Sequence, residues 1–410
     1  MKGKHRDGFS ERLGRVPANS LESLSGKKVV WLHAVSVGEV TLAMRFLERM
    51  RVQIGPAVYL ITVTTATAKE VAARLKKNED VLLYLPVDFK GAVRCFVGSV
   101  RPAVLIVFET EIWPNLMREL ERARVPVFLV NGRISDKAIG AYRRIRFFFG
   151  PVLNLFSGIG AQDERMRKRF IELGAEEKKV QVTGNMKYEV YPDAESADFW
   201  AQKIKEYFSQ EDGVCLCIAG STHEGEEEIL LKIYGSVAAK HPGFKLILAP
   251  RHTERVPAIL STARGLGVPA ARMTGFEEKK VKANNPVLIL DKMGVLSSLY
   301  AAADVVFMGG SLVSVGGHNL AEPAYFEKAI LFGRSMENFK EMADEFIRSG
   351  AAISVAGAAD LEAQIVSLIG DEARRTALGQ AAKRLIFSHQ GAIQRNLQMI
   401  LPTLQGVLKS

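Results

Sequence analysis

The residues of this chain best placed to do chemistry crowd one loop: Gly309-Gly310-Ser311-Leu312-Val313-Ser314-Val315-Gly316-Gly317-His318-Asn319-Leu320-Ala321-Glu322-Pro323. An apolar run, Val305-Val306-Phe307-Met308, precedes it. A buried strand that opens into glycines and then into a helix puts backbone N–H groups and a positive helix end where a phosphate can sit. The spacing is neither the G-x-G-x-x-G of a dinucleotide site nor the G-K-[ST] ending of a P-loop, which favours a nucleotide-linked donor over a redox cofactor or a nucleoside triphosphate. A tight strand-to-helix turn with packing glycines accounts for the same residues without a ligand.

Other strand ends carry charge. Ser36-Val37-Gly38-Glu39 follows the apolar run Val29-Val30-Trp31-Leu32-His33. Its S-x-x-E spacing is that of a capping box, in which Glu39 ties its side chain to a helix start. Further along stand Glu109-Thr110-Glu111-Ile112-Trp113-Pro114-Asn115, Asn131-Gly132-Arg133, Thr183-Gly184-Asn185-Met186-Lys187, Gly220-Ser221-Thr222-His223-Glu224 and Pro250-Arg251-His252. Ser221-x-x-Glu224 has capping-box spacing as well. The sequence offers no D-x-D carboxylate pair and no His/Cys cluster with zinc spacing.

The elements that must position these residues alternate short β-branched runs with helical patterns, the βαβ rhythm of a doubly wound parallel sheet. One series runs from Lys28 to about Gly184 and a second begins at Val214, with a polar stretch between them. The expected architecture is α/β with two Rossmann-like domains, residues 1–190 and 214–410, joined by a linker at 191–213, with room for the last helix to pack back on the first domain. Ligands of such sheets bind beyond the carboxyl ends of the strands, so two facing lobes are expected to enclose a cleft.

Composition sets outer bounds. The 410 residues are 48% hydrophobic and 24% charged, as expected of a globular chain with a large core, and the net charge of +10 favours an anionic partner. Three cysteines are too few for a disulfide framework, which points to a reducing, cytoplasmic compartment. No apolar run is long enough to span a bilayer. Most basic residues are interleaved with acids, as in Glu164-Arg165-Met166-Arg167-Lys168-Arg169, the pattern of a solvated helix face. Tyr142-Arg143-Arg144-Ile145-Arg146-Phe147-Phe148-Phe149 differs, because arginines beside aromatics suit lipid phosphates and acyl chains, although the phenylalanines would serve equally as core.

Taken together, His33-Ala34-Val35-Ser36-Val37-Gly38-Glu39-Val40, Tyr84-Leu85-Pro86-Val87-Asp88, the Glu109, Asn131 and Thr183 motifs, Gly220-Ser221-Thr222-His223-Glu224-Gly225-Glu226-Glu227, Pro250-Arg251-His252 and the glycine loop resemble, in order, the 3-deoxy-D-manno-octulosonic acid (Kdo) transferases of lipopolysaccharide synthesis. The resemblance implies a GT-B fold and an inverting transfer of Kdo from CMP-Kdo to a hydroxyl of a lipid A precursor, lipid IV-A, with release of CMP. It implies no metal and no cofactor. Glu39 falls on the family's general-base position, and Glu109 and Lys187 on positions that look like transition-state stabilisers. Pro250, Arg251, His252, Met293, Gly294, Val295, Gly316, Gly317, Asn319, Leu320, Ala321 and Glu322 match segments that contact CMP. A guanidinium and an imidazole suit a phosphate or a cytosine edge, and Glu322 suits ribose hydroxyls.

The resemblance also places the protein at the cytoplasmic face of a bacterial inner membrane. Members commonly carry a hydrophobic anchor ahead of the region resembling Gly8-Phe9-Ser10-Glu11-Arg12-Leu13-Gly14, and two expectations follow for this sequence: either it is trimmed of that anchor, or it docks peripherally on an anionic surface through basic and apolar residues. Two other readings compete: another GT-B enzyme using a UDP-sugar, as transferase or epimerase, and a non-enzymatic basic protein binding membranes or nucleic acid. No recognisable nucleic-acid module supports the last, and no nucleic-acid partner is expected.

Overall fold

Aliphatic and β-branched runs suit strands buried on both faces, and in the computed structural model they form two parallel sheets. The structure describes residues 8–54, 57–190, 192–208, 214–277 and 286–409. It divides into one unit of Met1–Glu189 with His389–Ser410 and a second of Val190–Ser388. The start of the sequence up to residue 7, and residues 191 and 209–213 of the expected linker, lie outside the described residues. The rest of that segment includes a helix, Ala194–Tyr207, that buries Ala197, Trp200, Ile204 and Tyr207.

The first sheet comprises β1 (Val29–His33), β2 (Val58–Val63), β3 (Val81–Tyr84), β4 (Val104–Phe108), β5 (Val127–Gly132), β6 (Gly158–Ala161) and β7 (Val180–Val182), in the order β3-β2-β1-β4-β5-β6-β7. Side chains alternate between its faces. Trp31, Leu60, Leu105, Val107 and Leu129 belong to one core layer, and Leu32, Ile61, Ile106, Phe108 and Val130 to the other. Burying each such aliphatic side chain contributes roughly 1.5–3 kcal/mol, so helices must cover both layers.

The helix Ala392–Lys409 covers part of the second layer with Ala392, Ile393, Leu397, Ile400 and Leu404. Its approach explains the glycines of β6: a Cβ on Gly160 would sit 2.2 Å from Asn396 Oδ1. Buried Glu189 fixes the helix start by accepting the Ile393 N–H at 2.9 Å.

The second sheet comprises β8 (Cys215–Thr222), β9 (Phe244–Pro250), β10 (Ala270–Arg272), β11 (Val287–Ile289), β12 (Val305–Met308), β13 (Ala329–Phe332) and β14 (Ile353–Ser354), in the order β10-β11-β9-β8-β12-β13-β14. Cys215 and Cys217 are free and buried, one on either side of Leu216 in β8. Strand order reverses between β1 and β4 in the first sheet and between β8 and β12 in the second. At such a switch point the loops leaving the carboxyl ends of the two strands diverge and leave a crevice for ligands.

Candidate active and donor sites

In the first unit the switch point is flanked by carboxylates. Glu39 lies in the first turn of the helix Val37–Ile54, which follows β1, and is 7% exposed. The Ser36 half of the capping box expected from spacing is formed, Ser36 Oγ accepting the Glu39 N–H at 3.2 Å, while the Glu39 side chain reaches one residue further back. The Glu39 carboxylate in turn accepts the Val35 N–H on Oε2 and the Ser36 hydroxyl on Oε1, each at 2.8 Å. These bonds fix the direction of the carboxylate and leave further lone pairs on both oxygens. Burial raises the Glu39 pKa, the Glu109 charge adds to the shift, and the Val35 N–H, Ser36 hydroxyl and Lys187 work against it.

Across the switch point, Glu109 follows β4 with φ of 58°. A left-handed conformation costs a non-glycine residue about 1–3 kcal/mol and is tolerated where the surroundings hold the side chain in place. Lys187 Nζ is 2.5 Å from Glu109 Oε1, and Arg133 Nε is 3.3 Å from Oε2.

Lys187 comes from the loop after β7, which is brought back along the sheet by buried polar contacts. Asn131 Oδ1 accepts the Met186 N–H at 2.9 Å, and Asn185 Oδ1 accepts the Lys187 N–H at 3.0 Å. Asn131 itself has φ of 54°. Glu111, two residues beyond Glu109, has its pKa raised to about 7 by burial and by the charges of Glu39 and Glu109. Three carboxylates and two cations therefore share one end of the sheet.

Sequence reasoning quoted Glu111 and Arg133 within motifs without giving either a role. Their signal was available, since each stands two residues from a motif residue at the same strand end. His33, at the end of β1, is fully buried; its Nδ1 meets Thr62 Oγ1 at 2.9 Å and burial lowers its pKa to about 4, so it stands neutral.

In the second unit the donor candidates lie beyond three strands, β11, β9 and β12, that flank β8. Pro250 ends β9 and is buried, and Arg251 and His252 follow it on the surface. The Arg251 N–H donates to Thr222 O at 2.9 Å, tying this turn to β8. Met293, Gly294 and Val295 precede the short helix Leu296–Leu299, and Met293 is 64% exposed. Asn319 Oδ1 accepts the Ala321 N–H at 3.0 Å, while Leu320 and Ala321 are buried and Glu322 is half-buried at the start of the helix Ala321–Tyr325.

Three histidines meet between these loops. His223 and His318 lie in nearly parallel planes with their Nε2 atoms 2.9 Å apart, and His252 stands edge-on to His223 with ring centroids 6.0 Å apart. One Nε2 of the His223–His318 pair donates and the other accepts. Burial, with the neighbouring His223 and Arg251, lowers the His318 pKa to about 4, so this ring is neutral at ordinary pH. Among the described residues no group of three or more His, Cys, Asp or Glu is arranged to hold a metal ion.

Two expectations are corrected. The glycine loop does not present a row of free N–H donors, because those of Gly310, Ser311 and Leu312 are bonded to the buried carboxylate of Glu226 at 2.7, 3.0 and 3.0 Å. Gly316 donates to Ser335 Oγ at 3.0 Å and Gly317 to Gly310 O at 2.8 Å. Nor does Ser221 pair with Glu224; Glu226 takes the capping part by accepting the His223 N–H at 2.9 Å.

Two doubly wound parallel sheets, each with polar side chains gathered at its switch point, define the GT-B class of sugar-nucleotide enzymes. The UDP-GlcNAc 2-epimerase of Neisseria meningitidis, solved bound to UDP-GlcNAc, shares this fold: its match has a TM-score of 0.54 at 13% identity and covers 92% of this chain and 100% of that one. Within the class the chain is a glycosyltransferase and belongs to the 3-deoxy-D-manno-octulosonic acid transferase family. The family model described as 3-Deoxy-D-manno-octulosonic-acid transferase (kdotransferase) matches residues 7–190. The 3-deoxy-D-manno-octulosonic acid transferase of Haemophilus influenzae is 31% identical over 406 residues, covering 98% of this chain and 92% of that protein. A bifunctional glycosyltransferase/methyltransferase of Fusobacterium nucleatum is 31% identical over 350 residues, but the match spans only 53% of its length.

Proposed function

We propose that the protein transfers Kdo from CMP-Kdo to a hydroxyl of a lipid A precursor such as lipid IV-A, with inversion at the anomeric carbon. The observation that carries this reading is the grouping of Glu39, Glu109 and Lys187 at the switch point of the first unit, in a chain of the Kdo transferase family. The acceptor hydroxyl gives its proton to the Glu39 carboxylate as its oxygen bonds to the anomeric carbon. The bond from that carbon to the phosphate oxygen breaks, and CMP leaves with the electron pair. A carboxylate with a raised pKa is a better proton acceptor than an ordinary one, provided the pH keeps it ionised. Lys187, held in place by Glu109, offsets negative charge on the sugar carboxylate or the departing phosphate.

In this reading the second unit holds the donor. Arg251 and His252 meet the phosphate or cytosine edge, Met293, Gly294 and Val295 with Asn319, Leu320 and Ala321 line the nucleotide, and Glu322 takes the ribose hydroxyls. Gly316 and Gly317, whose N–H groups are engaged, shape the loop by letting Asn338 and Met336 pack against it.

No helix among the described residues is long and apolar enough to cross a membrane. Peripheral contact with an anionic bilayer at the cytoplasmic face fits the exposed Arg144 and Arg146 beside Phe147, which is 78% exposed, and Phe148. Mass spectrometry of products from purified protein, a lipid A precursor and either CMP-Kdo or UDP-GlcNAc tests the reading. A Kdo-bearing lipid with stoichiometric CMP is expected from the first donor only; transfer from UDP-GlcNAc alone contradicts it.

A further inference from the structure

The glycine loop after β12 is organised by an anion that belongs to the protein. Glu226 opens the helix Glu226–Ala238, is fully buried, and accepts four backbone N–H groups: His223 and Gly310 on Oε2, at 2.9 and 2.7 Å, and Ser311 and Leu312 on Oε1, both at 3.0 Å. Successive backbone N–H groups of a turn make a concave nest for an anion, and here the carboxylate fills the place a phosphate takes in other folds. Hydrogen bonds to an ionised acceptor are roughly twice as strong as neutral ones.

This grip joins the two loops of the switch point, one from β8 and one from β12. The same two loops meet again through the His223–His318 pair. Beyond the nest, Gly317 N–H returns to Gly310 O and Gly333 N–H donates to Ser311 Oγ at 2.7 Å, so the course of residues 310–318 depends on how 310–312 are held. The contacts of Glu226 with Gly310, Ser311 and Leu312 and of His223 with His318 bridge residues distant in sequence, and local spacing could not have disclosed them.

We propose that Glu226 is a positioning residue for the donor: its carboxylate occupies the N–H nest, fixes residues 310–318, and directs the donor phosphate to the cationic side chain of Arg251. The inference rests on the reading that this unit binds CMP. Electrostatics and positioning make opposite forecasts for removal of the carboxylate. If the nest were itself the phosphate site, losing a negative charge would free its donors and tighten CMP. If Glu226 holds the loop, its loss weakens CMP, and a small carboxylate that refills the nest restores binding.

Calorimetric titration of CMP into the full chain, as wild type, Glu226→Ala and Glu226→Gln, with and without added formate, separates these forecasts. Glu226→Ala is expected to bind CMP about tenfold or more weakly. Formate should recover part of that loss while leaving the wild type unaffected, a response that general misfolding would not give. Glu226→Gln keeps one acceptor oxygen and should fall between the two; should Glu226→Ala fail to fold, this variant carries the test alone. Wild-type CMP binding beside variants that bind equally well or more tightly overturns this inference only. A wild type that binds no CMP overturns the donor reading and the inference together.

Discussion

Lys187 Nζ lies 2.5 Å from Oε1 of Glu109, two side chains brought together from the loops that follow β7 and β4. The contact depends on Asn131, whose side chain pins the Met186 N–H and so fixes the backbone next to Lys187. Glu109 keeps a second cation, Arg133, on its other oxygen.

Lys187→Met should therefore act on chemistry more than on folding. The pair is partly exposed, and its loss is expected to cost about 1 kcal/mol or less of stability. Loss of a charge that stabilises the transition state should lower kcat about 10²–10³-fold. Urea unfolding and steady-state transfer on the same preparation check both expectations. A variant that loses stability but transfers at the normal rate would reduce Lys187 to a structural role.

Glu111 gives a pH signature. Its pKa is raised from 4.5 to about 7, first by burial and then by Glu39 and Glu109. Between those values the folded state holds a proton that the unfolded state has released, so stability is full below 4.5 and falls as pH rises through about 7. Glu111→Gln removes the loss. Its melting temperature should exceed that of the wild type by about 2–4 °C near pH 8 and match it near pH 4. Thermal denaturation at the two pH values reads the difference, and an equal shift at both would exclude titration of Glu111 as its cause.

Gly317→Ala tests the donor loop from another side. Gly317 has φ of 71°, and an added Cβ would lie 2.2 Å from Met336 Sδ and 3.1 Å from Ser335 O. The sulfur can yield at the end of a flexible side chain, whereas the carbonyl and the left-handed backbone cannot readily do so. Destabilisation of about 1–3 kcal/mol is expected, with weaker CMP binding. Chemical unfolding and CMP titration measure both.

Much of this arrangement was legible before any coordinates. The strands around each switch point are apolar and β-branched, and local spacing at Ser36-x-x-Glu39 disclosed the Ser36 cap on the Glu39 N–H. Four short strands were not legible: β6, next to the edge of the first sheet, and the edge strands β7, β10 and β14. Gly158–Ala161 contains two glycines because the last helix packs closely on it, while Val180–Val182, Ala270–Arg272 and Ile353–Ser354 are too short for alternation to show. The helix Ala194–Tyr207 was hidden in a stretch that reads as polar, because its buried Trp200 and Ile204 are spaced at one helical turn among charged residues. The occupation of the glycine nest was unreadable for a different reason: Glu226 lies 84 residues from Gly310, and only the pairing of β8 with β12 brings them together.

Glu39 serves the helix start and, in the proposed reaction, the acceptor proton; two substitutions separate these parts. Ser36→Ala removes the hydroxyl partner and should cost about 0.5–2 kcal/mol of stability while leaving a carboxylate able to accept a proton. Glu39→Gln keeps an oxygen to accept the Val35 N–H but has no useful basicity.

The most direct measurement is the single-turnover rate of Kdo transfer from CMP-Kdo to a lipid A precursor by Glu39→Gln, made alongside its CMP affinity and melting temperature. The expected result is a rate lower by about 10²–10⁴-fold with affinity and melting temperature close to the wild type. Transfer at the wild-type rate by a folded, CMP-binding Glu39→Gln protein would contradict the assignment of Glu39 as the base.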